Sequence, residues 1–313
     1  KKEIYFGLDK FLSAFELYKF LSNNSNAKLP QLKDIKADSE FITYSDINYP
    51  ALLKEINDPP LVLFYRGNAD LFSDINKVSI VGTRRPTKYG VKVTKDICSS
   101  LAKSNSIVVS GMAFGVDSVA HSVTLEHQGK TIAVLGANVN EPYPRTNKKL
   151  YEQIISHDGL VISETQSREI NKWIFPRRNR IIAGLSRKTY VIEAAAKSGA
   201  IITANLAFDY NREVYAIPGN IYSEKSAGCN NLIKSNKAEI FCNNNELIDN
   251  EGSELNLSKE ELKILEQLEV EDLNIQQISK KLNIDFEAIF KIILGLEIKK
   301  KVAKQSGGLY TLT

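Results

Sequence analysis

The chain has 313 residues, with 41 lysines and arginines against 37 aspartates and glutamates, a formal net charge of +4. That length can bury a large core and suggests about two domains, while so mild a charge excludes nucleic-acid binding by bulk charge alone; such a reading must rest on where the cations sit. No apolar stretch approaches a transmembrane span, no signal peptide opens the chain, and Cys98, Cys229 and Cys242 share no metal-ligand spacing, which together read as a cytoplasmic protein with reduced thiols.

The opening, Lys1 to about Ser45, has helix-like apolar spacing at Phe11, Leu12, Phe15, Leu17, Phe20 and Leu21, followed by the polar stretch SNNSNAKLP. A central domain, about Asp46 to Asp249, enters through YPALLKEINDPPLVLFYRG, where Pro59 and Pro60 force an extended approach and LVLFYRG is a strand candidate. One pattern then repeats: VSIVG (Val78 to Gly82), IVVSG (Ile107 to Gly111), TIAVLG (Thr131 to Gly136), LVISE (Leu160 to Glu164), TYVIEA (Thr189 to Ala194) and EVYAIPG (Glu213 to Gly219) each end in a loop that opens a helix-like stretch. Runs apolar at nearly every residue, alternating with helices, predict an α/β fold with a parallel sheet covered on both faces. Ligands bind such sheets at the carboxyl ends of the strands.

What stands at those ends is basic and glycine-rich. GTRRPTKYG puts Arg84, Arg85 and Lys88 between a strand and its helix, where free backbone N–H groups and the helix dipole favour an anion. SGMAFGVDSVAH carries Ser110, Gly111 and Gly115 at the next strand end. In its helix, Asp117 and His121 lie four apart, spaced either as a catalytic pair or, more simply, for structural hydrogen bonds. YPRTNKK adds Arg145, Lys148 and Lys149, the two lysines also fitting an exposed helix face. In KWIFPRRNR, Lys172, Arg177, Arg178 and Arg180 interleave with Trp173, Phe175 and Asn179. Cations for a sugar-phosphate backbone beside aromatic faces for bases are what single-strand binders combine. The plainer expectation is that at least one of these two aromatics packs into the core while the arginines pair with carboxylates.

A polar stretch, Cys242 to Asn256, marks a boundary, and a compact tail runs from Leu257 to Thr313. Ser258 and Glu261 form a capping-box pattern, two further helical segments follow, and AKQSGGLYTLT predicts a hairpin turning at Gly307 and Gly308, so the tail reads as a winged helix-turn-helix. Acidic and basic residues nearly balance across it, which leaves a DNA-contacting wing and a packing or protein-interaction module both open. Absent motifs narrow the chemistry: there is no G-x-x-x-x-G-K-[ST], G-x-G-x-x-G, H-E-x-x-H or G-x-S-x-G, and His121, His127 and His157 are scattered. No cofactor, metal or catalytic constellation is expected.

VSIVGTRRPTKYG, VVSGMAFGVDSVAH, TIAVLGANVNEPYPRTNKKL, GLVISE, FPRRNRIIAGLS, EAAAKSGAIITANLA and REVYAIPGN, in this order, resemble the bacterial DNA-processing protein A (DprA/Smf) family over about Tyr49 to Ile240. The resemblance implies an extended Rossmann-like domain, no catalytic activity, single-stranded DNA binding, dimerisation, and loading of the recombinase RecA onto incoming strands during natural transformation. The winged tail fits one domain arrangement of that family, and the opening looks like a shortened form of its helical, SAM-like N-terminal domain. Carried over by motif, the DNA-contacting arginine is Arg84, the lysine ahead of F-x-x-R-N-R is Lys172 and the base-stacking aromatic is Phe175. Ser110 and Gly111 would shape the same pocket, with Arg178 and Asn179 beside them. Two rival readings remain: a nucleotide-processing enzyme of the phosphoribohydrolase type, with Glu193 near a strand end but no PGGxGT loop, and a duplex-DNA regulator acting through the tail.

Overall fold

A computed structural model describes residues 39–168, 170, 173–242, 259–269, 271–282, 284–298, 301–305 and 308–312. Most of the expected helical opening lies outside them. The chain divides into two compact units, Lys1–Asn244 and Asn245–Thr313.

Among the described residues the first unit carries strands β1 (Glu40–Thr43), β2 (Val62–Gly67), β3 (Lys77–Val81), β4 (Ile107–Ser110), β5 (Thr131–Leu135), β6 (Leu160–Ser163), β7 (Lys188–Val191), β8 (Glu213–Ala216) and β9 (Glu239–Ile240). They form one sheet in the order β1-β2-β6-β5-β4-β3-β7-β8-β9. From β6 across to β9 all pairings are parallel. The six expected runs supply β3 to β8, whose residues are almost wholly buried, as a sheet covered on both faces requires. LVLFYRG supplies β2, but antiparallel to β6, with β1 antiparallel beyond it. β1 and β9 are short edge strands outside the expected set, and β1 draws residues 40–43, read as part of the helical opening, into the sheet.

The helices are α1 (Ala51–Lys54), α2 (Lys88–Lys103), α3 (Val116–Glu126), α4 (Lys148–Ser156), α5 (Ile174–Leu185), α6 (Gly199–Asp209) and α7 (Glu224–Lys234). From β3 the chain builds outward through β4, β5 and β6, then returns through α5 to build β7, β8 and β9 on the other side. Right-handed crossovers therefore put α2, α3 and α4 on one face and α5, α6 and α7 on the other. In α2 the residues Thr94, Ile97, Cys98, Leu101 and Ala102 are buried, spaced three and four apart as an amphipathic helix against a sheet requires. Cys98 and Cys229 are buried free thiols, and burial pushes both up to about 12, so neither is a reactive thiolate. The topological reversal at β3 leaves a crevice at the strands' carboxyl ends, over which α5 passes on its way from β6 to β7.

The second unit contains helices α8 (Lys259–Leu268), α9 (Ile275–Leu282) and α10 (Phe286–Ile298) and strands β10 (Leu273–Asn274), β11 (Val302–Lys304) and β12 (Leu309–Leu312). The strands pair antiparallel in the order β10-β12-β11. This unit has its own core, including Ile264, Leu268, Ile278, Ile289, Ile293, Leu296, Val302 and Tyr310. The expected hairpin is present as β11 and β12; Ser258 of the capping box and Gly307 of the turn lie outside the described residues. Among the described residues no helix is long and apolar enough to cross a membrane.

Candidate nucleic-acid interface

The loops after β3, β4 and β5 and the start of α5 meet at the carboxyl edge, and close backbone approach brings them together. Gly115 has φ +80°, and a Cβ there would fall 2.4 Å from Thr83 O and 2.6 Å from Arg84 C, so only glycine lets the β4 loop lie against the Thr83–Arg84 turn. Met112, in the same loop, is fully buried at φ 58°, a conformation disfavoured for side chains. Asp117 holds it there by accepting hydrogen bonds from the N–H groups on either side, Gly111 at 3.2 Å and Ala113 at 3.3 Å. Asn147 Nδ2 donates to Met112 O at 2.8 Å and ties in the loop after β5.

On this scaffold Phe175, in the first turn of α5, is half-buried. The Arg84 guanidinium carbon lies 5.6 Å from its ring centroid, within cation–π range, and the Tyr143 ring lies 5.7 Å away at an interplanar angle of 35°. Arg84, Arg85, Lys88 and Arg145 are exposed, and none has an ion-pair partner among the described residues. The structure thus brings Arg84 and Phe175 together, with Arg85 in the same loop as Arg84, Lys88 at the start of α2 and Arg145 in the segment after β5. Lys172 lies outside the described residues.

The rest of the expected set works from behind this surface. Arg178 is 8% exposed; its Nη1 donates to Gly111 O at 2.8 Å and to Val134 O, and its Nε donates to Asn179 Oδ1 at 3.3 Å. Burial pushes the guanidinium down to about 10, against the attraction of Asp117 and with the repulsion of Arg84, so it remains charged at neutral pH. Gly111 leaves room for the guanidinium, since a Cβ there would fall 2.5 Å from Arg178 Nη2 and the arginine would have to shift. Asn179 Nδ2 donates to Gly199 O at 3.2 Å, and Ser110 Oγ donates to Ile80 O at 2.7 Å. Ser110 is fully buried and offers no surface to a ligand.

Two expectations need correction. The anion at the start of α2 is one of the chain's own: Thr87 N and Oγ1 donate to Glu193 Oε2 at 2.8 Å and Oε1 at 2.5 Å, and Glu193 is only 3% exposed. Anion attraction at this turn therefore falls to the arginine side chains instead of the helix end. Neither aromatic of KWIFPRRNR joins the core, since Trp173 is 83% exposed and Phe175 half-buried. The arginines do pair in part: Arg177 Nη2 and Arg180 Nη2 share Glu164 Oε1 at 3.1 and 2.6 Å, and Arg180 Nε lies 3.4 Å from Asp58. Tyr143 joins this site without being among the expected residues, and its place beside Pro144 and Arg145 in a strand-end loop is the signal that marks it.

Asp117 and His121 are both buried and serve structure. Thr131 Oγ1 donates to Val108 O at 2.7 Å, so its contact with His121 Nδ1 at 2.7 Å requires the imidazole to donate, and Nε2 is buried with no hydrogen-bond partner among the described residues. Burial, with a further push from Arg178, lowers His121 to about 3. An unfolded imidazole gains its proton near pH 6.5 and the folded one does not, so this term of stability is complete above that pH and is lost as pH falls toward 3, at up to about 1.4 kcal/mol per pH unit. Burial raises Asp117, against Arg178 and its N–H donors; this acts in the opposite sense but only above its ordinary 3.8. Urea unfolding at pH 6.5 and 5 should accordingly show a loss in the wild type that is much reduced in His121→Gln; equal slopes would refute the assignment.

Among known proteins, the family model described as DNA recombination-mediator protein A matches residues 40–252. The chain is 44% identical over 218 residues to protein Smf of Synechocystis, covering 68% of this chain and 54% of that protein. It is 38% identical over 200 residues to DNA processing protein DprA of Bacillus subtilis, covering 64% and 67%. It thus spans about half to two thirds of these relatives. The X-ray structure of DprA from Streptococcus pneumoniae superimposes with a TM-score of 0.65 at 37% identity, covering 75% of this chain and 80% of that one. DNA processing protein A from Helicobacter pylori, whose structure is described for its unique single-stranded DNA binding mode, gives a TM-score of 0.61 at 31% identity over 69% and 97%.

Proposed function

Because the chain belongs to the DNA recombination-mediator protein A family, we propose that it binds single-stranded DNA at the carboxyl edge of its sheet and acts as a binding protein without catalysis. The observation that carries this reading is the half-buried Phe175 ring with Arg84 and Tyr143 against it, on an edge whose loops also carry exposed cations that have no ion pair among the described residues. Arg84, Arg85, Lys88, Arg145 and Lys172 neutralise phosphates, while Phe175 stacks on a base; a π-face and a charge suit any sequence, so binding is largely sequence-tolerant. Ser110, Gly111, Arg178 and Asn179 hold the pocket's shape.

The chain protects incoming single strands and loads RecA during natural transformation, as a cytoplasmic homodimer whose two sites engage one strand and so bind more tightly than either alone. The family description and the Helicobacter pylori structure's DNA-binding description support the strand-binding part of this reading. The tail, with three helices and a three-stranded antiparallel sheet among its described residues, is a winged helix in this account. The enzyme alternative loses its carboxylate, because both Glu193 oxygens are engaged by Thr87 inside the fold.

Anisotropy titration of labelled oligothymidine and of labelled duplex across a salt series tests the reading. The single strand should bind more tightly, and Arg84→Ala should lower the salt slope by about 1, the signature of one lost phosphate contact. Tighter duplex binding, or an unchanged slope, would overturn it.

A further inference from the structure

Beside Phe175, a cleft of about 490 Å³ opens at the carboxyl ends of β5 and β6. Leu61, Val62 and Phe64 wall one side, and Ile174 and Ile181 of α5 contribute to the lining along with Glu164. Gly136 links it to the aromatic, since a Cβ there would lie 2.6 Å from Ile174 Cγ2 and 3.5 Å from the Phe175 ring. We propose that this cleft takes a second base of the bound strand and prefers guanine. The proposal rests on the single-strand reading and adds a base preference to it.

Three features support it. The volume exceeds that of one nucleobase, and the lining is mixed, with apolar side chains for the flat faces of a ring and hydroxyl, guanidinium and carboxylate groups for its edges. The cleft adjoins the cation-rimmed surface, so a strand whose phosphates follow those cations carries a neighbouring base past its mouth. Among the polar groups in its lining is one carboxylate, with one oxygen occupied: Glu164 Oε1 accepts from Arg177 and Arg180, while Oε2 has no hydrogen bond among the described residues. The two guanidinium groups offset the charge that would otherwise repel a phosphodiester. Oε2 is an acceptor for N–H groups, and guanine presents two adjacent donors, N1–H and the N2 amino group. Thymine presents one N–H flanked by carbonyls that face the anion.

The test uses the intact chain and displacement of a labelled oligothymidine. Competitors are oligothymidine, the same strand with isolated guanines, and that strand with hypoxanthine, which lacks the N2 amino group, in place of guanine. The guanine strand should compete about five-fold better than oligothymidine, with hypoxanthine between them, a modest share of what a good base-edge contact supplies. Val62→Trp, which fills the cleft, should bring the guanine strand and oligothymidine to equal competition. Glu164→Gln keeps an oxygen for the arginines but turns the other position into a donor, and should remove the preference too. Equal competition by all three strands against the wild type, or a guanine preference that survives Val62→Trp, overturns the cleft proposal and leaves the single-strand reading standing. Failure of oligothymidine to bind at all removes both.

Discussion

Phe175→Ala should weaken oligothymidine binding by roughly 5- to 150-fold, the loss of about 1 to 3 kcal/mol expected for one stacked base, while the dependence on salt stays as in the wild type. The two parts of this outcome separate stacking from charge. Phe175 carries no charge, so removing it releases no additional counterion, and a slope that fell with the affinity would mean that the loop had rearranged. Because the ring packs against Tyr143 and Arg84, Phe175→Tyr should keep most of the affinity. Titrations of wild type, Phe175→Ala and Phe175→Tyr across a salt series provide the check; an alanine variant within two-fold of wild type would remove Phe175 from the site.

The largest effect on stability is expected at Arg178. Arg178→Met keeps an apolar stem but leaves the carbonyls of Gly111 and Val134 without their donor and Asp117 without its neighbouring cation. Removing one member of a buried charged network costs about 3 kcal/mol or more, because the groups left behind remain buried and unpaired. Urea unfolding should show that loss as a lower midpoint with little change of slope. A loss below about 1 kcal/mol would mean that the carbonyls find other partners, and Arg178 would no longer explain how the ends of β4 and β5 are held.

What could be read in the sequence follows from how local each signal is. β3 to β8 were legible because a strand buried on both faces is apolar at nearly every position. β1 and β9 carried no such run, since edge strands of four and two residues gain their order from a neighbour. The cations of GTRRPTKYG and the aromatic of KWIFPRRNR were visible as types, but their meeting depends on α5 crossing back over the sheet. The sealing of the α2 N-terminus by Glu193 joins residues 106 positions apart, which no local pattern could reveal. The same holds for Arg180, whose partners Glu164 and Asp58 come from two other segments. Lys172 and Phe175 were named by resemblance to a family; spacing showed only that cations and aromatics alternate there.

The most direct test of where the strand lies is photocrosslinking of a bromodeoxyuridine-substituted oligothymidine to the intact chain, followed by peptide mapping. Adducts are expected on the peptides that carry Tyr143 and Phe175, lost when excess unlabelled single strand is added. Adducts confined to the tail, residues 257–313, would contradict it and move the DNA site off the sheet.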